Sequence, residues 1–183
     1  MAISTDEIRT IVEKYLAEYP DEEERLKRLN QALDEPAESA AHVTSAAVLI
    51  DPRWRVLHIH YPTPQRWLLP SGHLLATDES LPDAAVREVY VWTGIMPDTL
   101  LPLPGFEITP IDIDIHRRPA ARGTGQTEHW HFEMRHAFQI AESPTVRLAP
   151  DDPGEPSWLA PEAVPGFALR LKLHAIHQAL VRP

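Results

Sequence analysis

The chain contains no cysteine. That excludes disulfides, thiolate metal sites and cysteine nucleophiles, and it fits a cytoplasmic setting. No apolar run approaches the roughly 18 residues that a bilayer span needs, so no membrane contact is expected. Residues Met1 to Glu7 lack a basic stretch followed by an apolar one and do not read as a secretory leader. A G-x-S-x-G elbow, a P-loop and a dinucleotide fingerprint are all missing, and no internal repeat is visible. Positive charge is scarce: 17 Lys and Arg stand against 27 Asp and Glu, for a formal net charge of −10. Residues 1–40 carry eleven of the acids and five of the basic side chains. Such a field repels nucleic-acid phosphates at long range, which argues against a duplex partner. A small phosphorylated ligand held by local arginines stays open.

A length of 183 residues, 43% of them hydrophobic, suits one domain with a terminal extension. Ten histidines and nineteen prolines are both many. The prolines gather in loops such as Leu101–Pro104 and Asp152–Pro156, where they stop regular structure. Ser4, followed by acids at Asp6 and Glu7, marks a helix start. Ile8, Ile11, Val12, Tyr15 and Leu16 then recur at helical spacing. Pro20 ends that helix, and Leu26, Leu29 and Leu33 edge a second. Residues 1–40 thus form an N-terminal helical extension, a hairpin that could serve dimerisation, act as a lid or pack on the main domain. Residues 41–183 form that domain.

Within it, Thr44–Ile50 has strand length, and Trp54–Tyr61 reads as a second strand after a turn at Asp51-Pro52-Arg53. Ser80–Thr93 is a helix with Pro82 in its first turn and Gly94 at its stop. Ile111, Ile113 and Ile115 alternate with Asp112, Asp114 and His116. Trp130, Phe132 and Met134 alternate with His129, His131, Glu133 and Arg135. These are two half-buried strands of period two. Phe167–Val181 closes the chain as a helix.

The stretch Gly72-His-Leu-Leu-Ala-Thr-Asp-Glu79, seven residues, then Arg87-Glu88-Val89-Tyr90-Val91-Trp92-Thr93-Gly94-Ile95 resembles the Nudix box, G-x5-E-x7-R-E-U-x-E-E-x-G-U with U aliphatic. The Gly-to-Glu gap is one residue longer than the pattern, with Asp78 at the usual spacing. Val91-Trp92 replaces the adjacent glutamates. Val43–Ile50, Trp67–Gly72 and Trp158–Glu162 are similar to the flanks of the box in that family. The helical N-terminus and the later His-x-His strand are similar to a bacterial group within it. The resemblance implies an α/β fold, a Nudix-type α/β/α sandwich with a mixed sheet. It implies hydrolysis of a nucleoside diphosphate linked to another moiety, or of a related phosphoanhydride, assisted by Mg²⁺ or Mn²⁺ on carboxylates of the box helix. It also implies an ion pair that orients the box, between Arg87 and Glu79.

Of the helical trio at positions 88, 91 and 92, Glu88 alone is a carboxylate. Glu79 and Glu88 are the candidate catalytic residues of the box, and Glu128, Glu133 or Asp112 could replace what the helix lost. On the later strands, all the polar side chains share one sheet face. His129 and His131, two apart, could reach one metal together with Glu133 and Asp112. Imidazole with carboxylate suits Zn, Fe, Ni or Mn. His58, His60 and His73 could lie nearby. Arg117, Arg118 and Arg122, in a loop over 117–127 with Gly123 and Gly125, could clamp a phosphate, alongside His73 and Arg135. Three functions stay open: a divergent metal-assisted hydrolase, the same fold repurposed around a histidine and carboxylate metal or acid–base site, and a non-catalytic ligand-binding module.

Overall fold

The computed structural model describes residues 3–34, 41–62, 65–119 and 128–181. Helix α1 (Thr5–Glu18) opens on a capping box: Ser4 Oγ accepts from the Glu7 amide, and Glu7 accepts from the Ser4 amide at 2.7 Å. Pro20 starts a single 3₁₀ turn, and α2 (Glu23–Asp34) follows. Ile8, Val12 and Tyr15 of α1 and Leu26 and Leu29 of α2 are buried. Their 3–4 residue spacing puts them on one face of the hairpin.

Strands β1 (Ala41–Ile50) and β7 (His129–Ile140) run parallel at the centre of the sheet over ten paired residues, with His42 beside His131 and Thr44 beside Glu133. On one flank β1 pairs with β2 (Val56–Pro62) and β4 (Ser71–His73). Strand β2 also holds β3 (Gln65–Leu68) and β8 (Glu155–Leu159). On the other flank β7 pairs with β5 (Leu100–Pro102) and β6 (Asp112–Arg118). All pairings except β1–β7 are antiparallel, so the sheet is mixed, as expected.

Helices cover both faces. Helix α4 (Phe167–Val181) lays Leu169 and Leu173 on Ala46, Val48 and Ala137. On the opposite face, α3 (Leu81–Thr93) brings Ala85 and Val89 against Ala47, Leu49 and Phe138. The N-terminal hairpin extends that layer by covering Ile113, Phe132 and Met134. Each of the Leu, Val, Ile, Phe and Met side chains among these contributes on the order of 1.5–3 kcal/mol when buried. Among the described residues no helix is long and apolar enough to cross a membrane.

Local details differ from the sequence reading. The second strand starts at Val56 rather than Trp54. The Asp51 carboxylate accepts from the Arg53 and Arg55 amides at 3.0 and 2.8 Å, and the tight turn this closes puts Trp54 at φ 58°. Ile111 precedes the first residue of β6 and escapes its alternation. It joins the core beneath α4, while Ile113 and Ile115 face the hairpin. The ladder of β6 continues through Arg118, so Arg117 and Arg118 lie on a strand end, not in a loop. Arg122, Gly123 and Gly125 fall outside the described residues.

Candidate functional site

Ser80 caps α3 by accepting from the Asp83 amide at 3.2 Å, and Gly94, at φ 68°, ends the helix. Arg87 is the hub of the loop before it. Its Nε and Nη2 donate to the two Asp78 oxygens at 2.8 and 2.9 Å, and Nη2 also reaches the His73 carbonyl at 2.9 Å. The partner is therefore Asp78, not the expected Glu79. Asp78 sits in the turn that its carboxylate closes on the Leu75 amide at 2.7 Å, which aims it at Arg87. The hydrogen bonds from Arg87 hold the Asp78 carboxyl below its ordinary value. Glu79, one residue on, is exposed and borders a separate hollow of about 880 Å³ between α1 and α3, away from the histidines.

Glu88 is buried, and both its oxygens are taken. Arg87 Nη1 donates to Oε1, and the Trp92 indole N–H donates to Oε2 at 3.1 Å. Val91 points to solvent. A hard cation such as Mg²⁺ or Mn²⁺ wants several oxygen ligands. The helix offers one carboxylate, clasped by a guanidinium and an indole, so these residues do not fit such an ion.

A cleft of about 840 Å³ opens on the sheet face that α4 leaves uncovered. Arg66, Arg117 and Arg118 stand on its wall with Tyr61, Trp67 and Trp92, and His73, His116, Asp114 and Glu133 also border it. Glu128 lies on the outer surface, where it pairs with Arg117 at 3.3 Å. Trp130 is drawn away from the cleft, with the α2 side chain Arg28 stacked 4.3 Å from its ring centre.

The expected shared polar face exists, but its carboxylates are committed. Arg135 donates to Glu133 at 2.9 Å, to Asp112 at 3.1 Å and to Asp114 at 3.1 Å. Burial opposes its charge, yet the three carboxylates outweigh that and raise its pKa further. Arg135, expected to meet substrate, borders the cleft and also holds this network together. Asp112 also accepts from Lys172 at 2.7 Å, and Lys172 in turn donates to Tyr15 and pairs with Glu22 at 2.7 Å. Asp112 and Glu133 therefore do not join the histidines. Lys172 was missed in the sequence. Its signal was a lysine between Leu169 and Leu173, on the apolar stripe of α4.

The histidines meet among themselves. His129 Nε2 lies 2.9 Å from His131 Nε2, and His42 Nδ1 lies 3.2 Å from His73 Nε2. One ligand nitrogen from each of the four falls within 4.8 Å of the other three. Register explains the convergence. His42 is beside His131 across the parallel pair, His129 is two residues back on the same face, and His73 is opposite Thr44 on β4. Burial first, then the neighbouring imidazoles and Arg118, push His131 down to about 3. The same burial and neighbours lower His42 and His73. His42, at the start of an apolar strand, carried no signal of its own, because only the long-range register brings it in. His58 is buried deeper under the cleft and lowered to about 4, chiefly by burial. His60 instead packs on Trp67, 4.7 Å between ring centres.

The NUDIX domain family model matches residues 40–182. No curated protein matches the chain in sequence. Similar solved structures include an Ap4A hydrolase of C. elegans in a binary complex, at 17% identity and TM-score 0.55 over 75% of this chain and 98% of that one. A NUDIX-family hydrolase of Clostridium perfringens aligns at 14% identity and TM-score 0.52, over 75% and 97% of the two chains. The NUDIX domain of Shewanella oneidensis NrtR, complexed with ADP ribose, aligns at 17% identity and TM-score 0.51, over 85% and 99%. At these identities the likeness is one of fold.

Proposed function

This chain belongs to the NUDIX domain family, and on that premise we propose that it hydrolyses a phosphorylated small molecule bound in the cleft beside α4. The observation that carries the reading is the cleft wall. Arg66, Arg117 and Arg118 gather, beside the carboxylate-bound Arg135, on one cavity of a protein whose net charge is −10. Guanidinium groups fork onto phosphate oxygens, and Trp67, Trp92 and Tyr61 offer ring faces to an aromatic body. The substrate class this favours is a phosphoanhydride, such as a nucleoside diphosphate linked to a second group. Glu133 borders the same space; Arg135 holds its Oε1, and its Oε2 is the candidate general base for water. The box helix acts here as scaffold, since Glu88 is already engaged.

Ap4A and ADP ribose, which appear with two of the fold relatives, are both phosphoanhydrides of adenosine and head the substrate panel. Turnover of at least one phosphoanhydride is expected, falling in Arg66→Ala and Arg118→Ala. No turnover of any compound with Mg²⁺, Mn²⁺ or Zn²⁺, beside an active conventional Nudix enzyme, removes the reading. One observation favours a second: the Trp92 indole bonded to Glu88 fills the ground where a box ion would sit. A protein built that way binds the phosphorylated ligand without cleaving it, and saturable binding in calorimetry with unchanged ligand afterwards would establish that.

A further inference from the structure

We infer that His42, His73, His129 and His131 form a site for one divalent cation of the zinc class, with one side facing the cleft. Zn–N bonds of about 2.0–2.1 Å in a tetrahedron place neighbouring ligand atoms roughly 3.3 Å apart. The two closest nitrogen pairs here are separated by 2.9 and 3.2 Å, and the whole set spans 4.8 Å. Sub-ångström adjustment of the rings brings all four to bonding distance. The donors are imidazole nitrogens alone. That set suits Zn, Ni, Cu or Fe and is poor for Mg²⁺, which needs oxygen.

The backbone supports the geometry independently. Two of the rings are on β7, one on β1 and one on β4, three strands joined in one sheet, so their relative positions are fixed by strand register. Two ring nitrogens 2.9 Å apart share at most one proton, so at least one of them turns a lone pair toward the other.

The surrounding charges define what completes the site. Four neutral imidazoles leave both positive charges of the ion uncompensated. Glu88 acts favourably on His73 from one side, and Arg118 acts against it from the cleft. His73 and His131 belong to the cluster and also border the cleft. The ion would thus present its free side to the same space as the arginines, where an anionic oxygen of a bound phosphate adds a fifth ligand. This extends the reading of the cleft but does not depend on turnover there.

The test uses the full-length, untagged protein. After equilibrium dialysis against Zn²⁺ or Mg²⁺, each alone, elemental analysis is expected to find one zinc per chain and no retained magnesium. X-ray absorption is expected to show a nitrogen-dominated shell near ~2.0 Å. Zinc should be lost in His129→Ala/His131→Ala and, where burial makes that pair prone to misfold, also in His42→Ala/His73→Ala, whose rings are less buried. It should be kept in His116→Ala. Substoichiometric zinc, retention by the folded double variants, loss in His116→Ala, or a carboxylate-dominated shell would each overturn the assignment. Stoichiometric zinc with a silent substrate panel upholds the metal site and sinks the hydrolase reading. Turnover by protein that takes up no zinc on dialysis does the reverse.

Discussion

Gly72 lies against the carboxylate of Glu88 so closely that a Cβ at residue 72 would land on the carboxylate atoms. The glycine is needed for space, not for backbone freedom. Gly72→Ala must push Glu88 out of its bonds with Arg87 and Trp92 or shift β4. A loss of about 1–3 kcal/mol is expected, as for other overpacked sites. In Gly72→Ala/Glu88→Ala most of the Gly72→Ala penalty should vanish. Urea denaturation of the four forms, read as a double-mutant cycle, checks this, and additive losses would refute the contact.

Asp78 anchors Arg87 through two hydrogen bonds, while Glu79 is exposed. Asp78→Ala should cost about 1–3 kcal/mol, because it strips a hydrogen-bonded charge from Arg87 and the Leu75 amide. Glu79→Ala should stay within about 0.5 kcal/mol. The folded carboxyl of Asp78 titrates below its ordinary value of 3.8. Its contribution is therefore complete above that value and disappears as pH falls through the depressed folded one. Melting temperatures from pH 7 to pH 2 should show a shallower acid decline in Asp78→Asn than in the parent.

His136, on β7, also loses stability in acid, for a different reason. Its ring is fully buried on the apolar face, neither ring nitrogen has a hydrogen-bond partner, and burial lowers it to about 3 from 6.5. Between those values the unfolded chain takes up a proton that the folded chain refuses, so stability drops as the solution is acidified from pH 6.5. His136→Leu removes that liability. Relative to the parent it should gain melting temperature progressively from pH 8 to pH 5. A difference that does not vary with pH would contradict this account.

Val91→Glu/Trp92→Glu restores the acidic trio on the box helix. Removing the indole frees Glu88 Oε2, and the new carboxylate at i+4 shares its face. Calorimetry should detect Mg²⁺ or Mn²⁺ binding in the variant and none at the box in the parent. If both bind alike, the view that Trp92 displaced the ion is wrong.

Period-two alternation and helical spacing made the long elements readable in advance. Phe167–Val181 is a helix over the expected residues, and β6 and β7 present the expected polar face. Strands β3, β4 and β5 have three or four residues each and are too short for any period to emerge. The histidine cluster was half legible. His129-x-His131 stands out locally, but His42 and His73 enter only through pairings that join residues far apart in the chain. The choice of Asp78 over Glu79 turned on a single turn closed by one amide, which spacing alone does not specify. Nor did the sequence reveal that Arg135 would claim Asp112 and Glu133, since side chains on one face can bind each other as readily as a ligand.

Lys172 reaches Tyr15 and Glu22 from the hairpin and Asp112 from β6, and its ammonium also lies 4.4 Å from the centre of the Tyr19 ring. A neutral residue at 172 would take a cation from two buried or half-buried anions, while losing either acid would leave the cation under-compensated. Evolution can then alter these positions only in concert. In a deep set of homologous sequences, residues 15, 22, 112 and 172 should drift as a correlated group, and lineages that have shed the first forty residues should have surrendered the lysine as well.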